Sequence, residues 1–224
     1  MKNTSPYATA AILGMLLFSG CAPKNSFKNN EGVQAVEVRN YQGEKLDSVK
    51  AFRENSIKGP QEVNISNYQL GIGGLVQTPK NFSYEELLSY PSYQKVVTLH
   101  CVEGWDAKIL WEGVRLEDLL AETGEKTGAN TVIFKAYDGY STSLPLDYIK
   151  DKDIILAYKM NNATLLPERG FPLQLVAEDK WGYKWIKWVT SIEFSGDPTY
   201  KGFWEKNGYN NNGDLNGPIF EKKK

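Results

Sequence analysis

The side chains that most often carry redox or metal chemistry are scarce in this sequence. Its 224 residues include two cysteines, Cys21 and Cys101, and one histidine, His100. These are too few for a zinc finger, a four-cysteine iron–sulfur site or a three-histidine zinc site. The sequence also lacks a CxxCH haem attachment motif. Any redox chemistry must therefore use few protein ligands, or a cofactor that brings its own.

Cys101 lies at the end of a predicted strand. Residues 95–101 form a β-branched run that is typical of a buried strand, and Gly104 indicates a turn directly after it. A thiolate at this position could be a nucleophile or a soft-metal ligand, and a buried, inert cysteine is the alternative. His100 should point to the opposite face of the strand, which argues against a Cys–His catalytic pair. We therefore expect a structural role for His100.

Composition and charge describe an ordinary globular protein. Hydrophobic residues make up 41 % of the chain and charged residues 24 %, which predicts one domain or one domain with a tail. Lys and Arg number 26 and Asp and Glu 27, for a formal net charge of −1. Because there is no basic excess, the sequence gives no reason to expect nucleic acid as a partner.

The N-terminus has the pattern of an export signal. Lys2 precedes an apolar stretch at 8–18, which is too short to span a bilayer, and small residues then lead to Cys21. Small residues directly before a cysteine resemble a bacterial lipobox, which implies a lipid on Cys21. A plain secretory signal is the alternative. We assign residues 1–20 to the signal peptide, 21–52 to a lipid-anchored flexible tether and 210–224 to a C-terminal surface tail.

Strands outnumber helices in the pattern between tether and tail. Ser83 and Glu86 fit a capping box that opens a short helix ending at Leu88, and Gly124 suits the end of a second helix at 116–121. Alternation and β-branched runs predict strands at 68–72, 95–101, 108–111, 131–136, 154–160, 172–176 and 188–194. The helices are too short and too few for a doubly wound fold, so the prediction is α+β with a mixed or antiparallel sheet.

A series of motifs resembles the molybdopterin-binding oxidoreductase domain of the sulfite oxidase family, and on this basis residues 53–209 are assigned to that domain. The motifs follow one another in the family's order: HCVEGW (100–105), LWEGVRL (110–116), YDGYSTSLPL (137–146), ILAYKMN (155–161), RGFPL (169–173), WGYKWIKWV (181–189), GFWE (202–205) and GY (208–209).

The resemblance implies molybdenum held by one pyranopterin, with a single cysteine thiolate as the protein ligand. Cys101 occupies the ligand position, and one cysteine suffices because the cofactor's dithiolene supplies two sulfurs. Tyr140 stands near the pocket, where it could orient an oxyanion or pass a proton, or simply pack behind a turn. The cofactor-binding positions implied by the family are Asn55, Arg169, Lys184, Trp185, Ile186 and Lys187.

Several positions depart from the family pattern. Gln174 replaces an arginine, which weakens the expected phosphate site. Glu178 and Asp179 place two carboxylates near a segment that should face an anion. Glu103 and Asp106 follow the ligand cysteine where sulfite oxidases have arginines, and carboxylates there would repel a dianion. The signal also lacks the twin arginine that exported family members use to leave the cytoplasm with their cofactor.

Two hypotheses follow from these residues. The first is an exported, lipid-anchored molybdenum oxidoreductase that performs oxygen-atom-transfer chemistry on a small substrate. Such an enzyme would exchange electrons with an external partner, a cytochrome or a quinone-linked membrane subunit. The second is a degenerate family member without metal that acts as an exported binding or assembly module. The intact motif around Cys101 favours the first, whereas Gln174, Glu178 with Asp179, and the signal favour the second.

Overall fold

The computed structural model describes residues 36–222. The predicted signal peptide, Cys21 and the first part of the predicted tether lie outside this range. The described strands are β1 (Asn40–Tyr41), β2 (Glu44–Lys45), β3 (Gln69–Gly74), β4 (Lys80–Ser83), β5 (Ser92–His100), β6 (Asp106–Arg115), β7 (Thr131–Ala136), β8 (Ser141–Pro145), β9 (Ile155–Met160), β10 (Ala163–Thr164), β11 (Gln174–Val176) and β12 (Val189–Ser195).

The helices of this region are short. They are α1 (Tyr84–Ser89), α2 (Leu116–Thr123), α3 (Leu146–Asp151) and α4 (Phe203–Lys206), with 3-10 turns at Pro167–Arg169 and Gly182–Lys184. The predicted capping box is present, since the Glu86 amide donates to the Ser83 hydroxyl and the Ser83 amide donates to the Glu86 carboxylate. Gly124 ends α2 with a φ of 63°, a conformation that glycine adopts without strain. None of the helices in residues 36–222 is long and apolar enough to cross a lipid bilayer.

Two five-stranded sheets organise the domain. The first has the order β10-β9-β6-β5, with β11 also paired to β9, and all of its pairs are antiparallel. The second has the order β4-β3-β12-β7-β8, in which only β12 and β3 run parallel. Fully buried Trp111 of β6 and Phe134 of β7 belong to one hydrophobic cluster that includes residues from both sheets. The prediction of a mixed α+β fold is confirmed.

Sequence patterns located most of the central strands but missed β8 and α3. The β8 segment consists mainly of Ser and Thr and has no apolar alternation, yet Thr142, Ser143 and Leu144 are buried because β8 pairs with β7. The α3 helix has six residues, too few for a helical period to show. In both elements tertiary pairing, rather than local pattern, decides the structure.

The chain on either side of the expected domain is attached to it. Val38 N–H donates to the Asn161 carbonyl, and Leu46 and Val49 are buried, although the sequence assigned them to a flexible tether. Residues 210–222 are also fastened rather than forming a free tail, because the Trp181 amide donates to the Gly213 carbonyl at 2.8 Å. The many Asn and Gly residues of this segment therefore serve turns that pack on the domain.

Gly113 provides a test of the first sheet. A Cβ at this position would lie 2.0 Å from the Leu156 carbonyl oxygen of the neighbouring β9. We predict that Gly113→Ala lowers the free energy of unfolding by about 3 kcal/mol or more, because rigid backbone cannot make room. Urea unfolding checks this. Gly73→Ala is the control, since a Cβ there meets nothing within 4 Å and should leave stability almost unchanged. Equal stability of the two variants would contradict the packing.

Candidate active site

Cys101 lies at the tip of the hairpin formed by β5 and β6. The hairpin pairs Ser92 with Val114 at one end and His100 with Asp106 at the other, so the strands converge on the cysteine. The turn is closed by two hydrogen bonds, since Cys101 N–H donates to the Trp105 carbonyl at 2.9 Å and Gly104 N–H donates to the Cys101 carbonyl at 3.1 Å. Gly104 has a φ of 86°, which explains the glycine at this position.

A second segment passes directly beside this turn. Trp181 forms a parallel bridge with His100, and a Cβ on Gly182 would lie 3.2 Å from the His100 carbonyl oxygen and 3.6 Å from the Cys101 Cα. The absence of a side chain at Gly182 permits this approach. The His100 imidazole instead lies 3.7 Å from the Asp106 carboxylate and does not line the cavity described next. This position agrees with the structural role expected for His100.

A cavity of about 360 Å³ opens over Cys101. Its size falls within the range of sites for small molecules and cofactors. All of the residues that the sequence assigned to the site, except Lys184, line this cavity: Asn55, Cys101, Tyr140, Arg169, Trp185, Ile186 and Lys187. The structure thus brings together side chains from four distant parts of the chain.

One wall of the cavity is an irregular segment, residues 49–55, which we call the strap. Phe52, Arg53, Glu54 and Asn55 of the strap all line the cavity. The Asn55 amide nitrogen lies 3.5 Å from the Cys101 sulfur and donates to it. Burial raises the pKa of the Cys101 thiol, while hydrogen bonds from the Glu103 backbone and Asn55 oppose this shift. The strap therefore contacts the sulfur that the sequence identified as a metal ligand.

Two basic residues at the cavity, Arg169 and Lys187, form hydrogen bonds with other groups of the protein. The buried Arg169 donates to backbone carbonyls of the strap, and Lys187 pairs with the Glu54 carboxylate. Lys187 also donates to the Glu168 carbonyl at 3.3 Å. Burial lowers the pKa of both basic groups, and the carboxylates beside them act in the opposite direction.

The Tyr140 hydroxyl is already engaged within the protein. It donates to the Tyr183 carbonyl at 2.5 Å, and the Tyr140 backbone N–H donates to the Asp138 carboxylate at 2.9 Å. Burial, followed by the nearby Glu205 carboxylate, raises the pKa of Tyr140 well above its usual value. Tyr140 therefore stays protonated and shapes the cavity wall, which leaves little capacity for the proton transfer that the sequence suggested.

The assignment of Lys184 to the cofactor is corrected by its surroundings. Its side chain is fully buried, with 0 % exposure, and its ammonium lies 2.6 Å from the equally buried Glu205 carboxylate. The Thr142 hydroxyl donates to the same Glu205 oxygen at 2.6 Å. Lys184 forms this internal ion pair and does not line the cavity, whereas the neighbouring Tyr183 does. Lys184 therefore stabilises the fold next to the cavity instead of binding a ligand.

Glu178 and Asp179 also differ from their expected placement. Glu178 pairs with Lys95 at 2.6 Å and Asp179 pairs with Lys152 at 2.7 Å, and neither carboxylate lines the cavity. They therefore do not face a bound anion. Gln174, by contrast, is buried and does line the cavity, so the missing arginine at this position does reduce its positive charge.

The charge of the cavity is mixed. Arg53 and Glu103 stand at its exposed side, with 3.6 Å between the guanidinium and the carboxylate. Four carboxylates and three cations line the cavity: Glu54, Glu103, Asp138 and Glu168 against Arg53, Arg169 and Lys187. Such a site does not create the positive field that would attract a dianion.

The comparison with known proteins agrees with this architecture. A family model described as "Oxidoreductase molybdopterin binding domain" matches residues 57–204. The chain belongs to this family of molybdopterin-binding oxidoreductases. Membership implies molybdopterin with molybdenum as the cofactor, as the motifs around Cys101 predicted.

Named relatives come from several bacteria. The oxidoreductase YuiH of Bacillus subtilis (strain 168) is 37 % identical over 156 residues, which cover 69 % of this chain and 78 % of YuiH. The protein-methionine-sulfoxide reductase catalytic subunit MsrP of Campylobacter jejuni is 26 % identical over 213 residues, or 88 % of this chain and 70 % of MsrP. The crystal structure of the sulfane dehydrogenase SoxCD from Paracoccus pantotrophus matches with a TM-score of 0.61 and 25 % identity, over 67 % of this chain and 42 % of that one.

The residues of the cavity fit a molybdopterin cofactor. Cys101 offers the single soft sulfur donor that a molybdenum dithiolene centre requires. The Ser56 hydroxyl and the Trp105 indole N–H belong to cavity-lining residues and have no hydrogen-bond partner among residues 36–222, although both atoms are buried. Buried polar atoms of this kind are normally satisfied. The polar ring system of a pterin in the cavity would provide acceptors for them.

Sequence reasoning missed most of the strap and the contribution of Trp204 and Tyr209 to the cavity. Glu54 pairs with a lysine 133 residues away, and no local pattern signals such a contact. Trp204 and Tyr209 stand in motifs that the sequence comparison did identify, so their aromatic types were the one available signal. Their rings lie 5.2 Å apart at the cavity wall.

The internal ion pair predicts a structural effect at Lys184. We expect Lys184→Met to lower the free energy of unfolding by about 3–5 kcal/mol, because it leaves the Glu205 carboxylate buried without its partner. The double variant Lys184→Met, Glu205→Leu should recover much of this loss. Chemical denaturation measures both, with Lys206→Met as an exposed control within about 0.5 kcal/mol of wild type. If Lys184→Met is as stable as wild type but binds the cofactor more weakly, the reassignment is contradicted.

Proposed function

We propose that this protein is an exported, lipid-anchored molybdenum oxidoreductase that transfers an oxygen atom to or from a small, uncharged substrate. The observation that carries this proposal is the position of Cys101, at the tip of a hairpin and in the wall of a cavity whose buried Ser56 and Trp105 donors have no partner in the described part of the chain. The lipid anchor rests on Cys21 and the residues before it, which lie outside the described range.

Different side chains of the cavity would bind different parts of the cofactor. When bound, the cofactor supplies two-electron oxygen-atom chemistry. Cys101 provides the thiolate, and the Asn55 amide donates to that sulfur and moderates its charge. Ser56 and Trp105 offer donors to the polar edges of the pterin. Trp185, Ile186 and Lys187 line the wall that would accommodate the pterin and its phosphate, and Lys187 would contribute an ammonium there.

We propose that electrons enter or leave through another protein. The family model that matches residues 57–204 describes a molybdopterin-binding domain. MsrP is named as a catalytic subunit, and a relative from Azospira oryzae, 32 % identical over 67 % of this chain and 57 % of its own length, is named as the reductase subunit YedZ1. Both names describe subunits, which supports a partner protein, and we propose that this partner is a membrane cytochrome or a quinone-linked subunit.

The charge of the cavity favours an uncharged substrate. Glu103 stands two residues from the ligand cysteine, and its carboxylate would repel an incoming oxyanion. Arg53 only partly offsets this charge, because both groups are exposed and lie 3.6 Å apart. Oxygen-atom chemistry with a neutral partner, such as a sulfoxide or an amine N-oxide, avoids this repulsion.

Replacement of Cys101 tests the proposed ligand. Full-length Cys101→Ser protein should lose turnover of dimethyl sulfoxide with reduced viologen dye as the electron donor, because a serine oxygen does not reproduce the soft donor character of the thiolate. Its cofactor-free form should melt within about 2 °C of the cofactor-free wild type. Cys21→Ser is the matched control and should keep full turnover. Undiminished activity in Cys101→Ser would refute the assignment.

Replacement of Glu103 tests the substrate charge. We expect Glu103→Gln to raise kcat/KM for an anionic probe, nitrate or sulfite, by about tenfold, since one repulsive charge near the ligand cysteine is removed. Turnover of dimethyl sulfoxide should change much less. Asp106→Asn is the control, because Asp106 pairs with His100 and does not line the cavity. If Glu103→Gln and Asp106→Asn change kcat/KM for the anionic probe equally, Glu103 does not determine the preferred charge of the substrate.

A further inference from the structure

The most densely hydrogen-bonded side chain at the cavity is Arg169. Its Nε donates to the Val49 carbonyl at 2.7 Å, its Nη2 to the Phe52 carbonyl at 2.7 Å and its Nη1 to the Arg53 carbonyl at 3.2 Å. Three of the five N–H groups of an arginine are thus committed to the backbone of the strap. An irregular segment has few partners for its own carbonyls, and a buried guanidinium supplies them.

Ring stacking adds to this attachment. The Arg169 guanidinium carbon lies 3.9 Å from the centroid of the Phe52 ring. The same ring packs against Trp105, with 5.4 Å between their centroids. Trp105 belongs to the turn that holds Cys101. Phe52 therefore connects Arg169 to the hairpin tip, and the ion pair of Glu54 with Lys187 fastens the strap a second time.

The strap ends at the sulfur. Asn55 is the last strap residue, and its amide donates to Cys101 at a nitrogen-to-sulfur distance of 3.5 Å. The family match begins only at residue 57, so the strap precedes the stretch that defines the family. The position of Asn55 consequently depends on contacts made two to six residues earlier in the chain.

We propose that Arg169 is a positioning residue that holds the strap across the cavity and thereby sets Asn55 against the sulfur of Cys101. Without its guanidinium, three strap carbonyls lose their donor and Phe52 loses one of its two stacking partners. The strap then opens as a local unit, while both sheets keep their pairing. The catalytic importance of this contact rests on the proposed role of Cys101, but the attachment of the strap does not.

The test uses the full chain without cofactor, so that it is independent of metal loading. Arg169→Met and Arg169→Lys are compared with wild type by hydrogen exchange of peptides from residues 49–57 and by alkylation of Cys101 with iodoacetamide, located by peptide mass spectrometry. We expect Arg169→Met to speed both by about tenfold or more, because charge-assisted hydrogen bonds that close the strap are lost. Arg169→Lys keeps a cation and should show an intermediate rate.

Arg115→Met is the matched control, since Arg115 bonds Asp118 and Asp153 and does not line the cavity. It should leave both rates unchanged. Unchanged exchange in the strap of Arg169→Met, or equally fast exchange throughout both sheets, would overturn the proposal. If Arg169→Met does not fold, the Arg169→Lys comparison decides in the same way. Protein that never binds molybdenum would still show faster exchange and alkylation in Arg169→Met. Failure of the proposed function can therefore be told apart from failure of this proposal.

Discussion

The architecture of this protein depends on the tight turn that holds Cys101 at the tip of the β5–β6 hairpin. Two backbone hydrogen bonds close the turn, and Gly182 lets a second segment pass beside it without a side chain in between. The sulfur is thereby fixed by two rigid strands on one side and by the segment 181–188 on the other. Every other group at the cavity is placed relative to this atom, which suits a metal ligand that must not move during chemistry.

The basic residues that the sequence assigned to the cofactor all have partners within the chain. Lys184, Lys187 and Arg169 all stood in segments that resemble cofactor-binding motifs. In the structure Lys184 pairs with buried Glu205, Lys187 pairs with Glu54, and Arg169 donates to the backbone. Burying a cation is costly unless it is paired, so each of these groups has a partner within the chain. The cavity retains mixed charge, and this supports a neutral rather than a dianionic substrate.

The sequence was sufficient for the fold class, most central strands and the set of segments that meet at Cys101. The fold class and the strands follow from strong local signals: β-branched runs, the Ser83 capping box and a glycine at the end of a helix. The segments that meet at Cys101 were instead implied by their resemblance to the sulfite oxidase family. The strap, β8 and the fastened C-terminal segment could not be predicted. Their structure depends on contacts between distant residues, such as Arg169 with Val49, which are 120 residues apart. Short local patterns carry no information on such pairs.

The central claim is that Cys101 is the one protein sulfur on the metal. X-ray absorption at the molybdenum edge tests it most directly, with wild type and Cys101→Ser prepared with cofactor under the same conditions. The account predicts that the variant retains the dithiolene sulfurs and shows one fewer molybdenum–sulfur contact than wild type. Identical sulfur coordination in the two proteins, or wild-type protein without molybdenum, would contradict it.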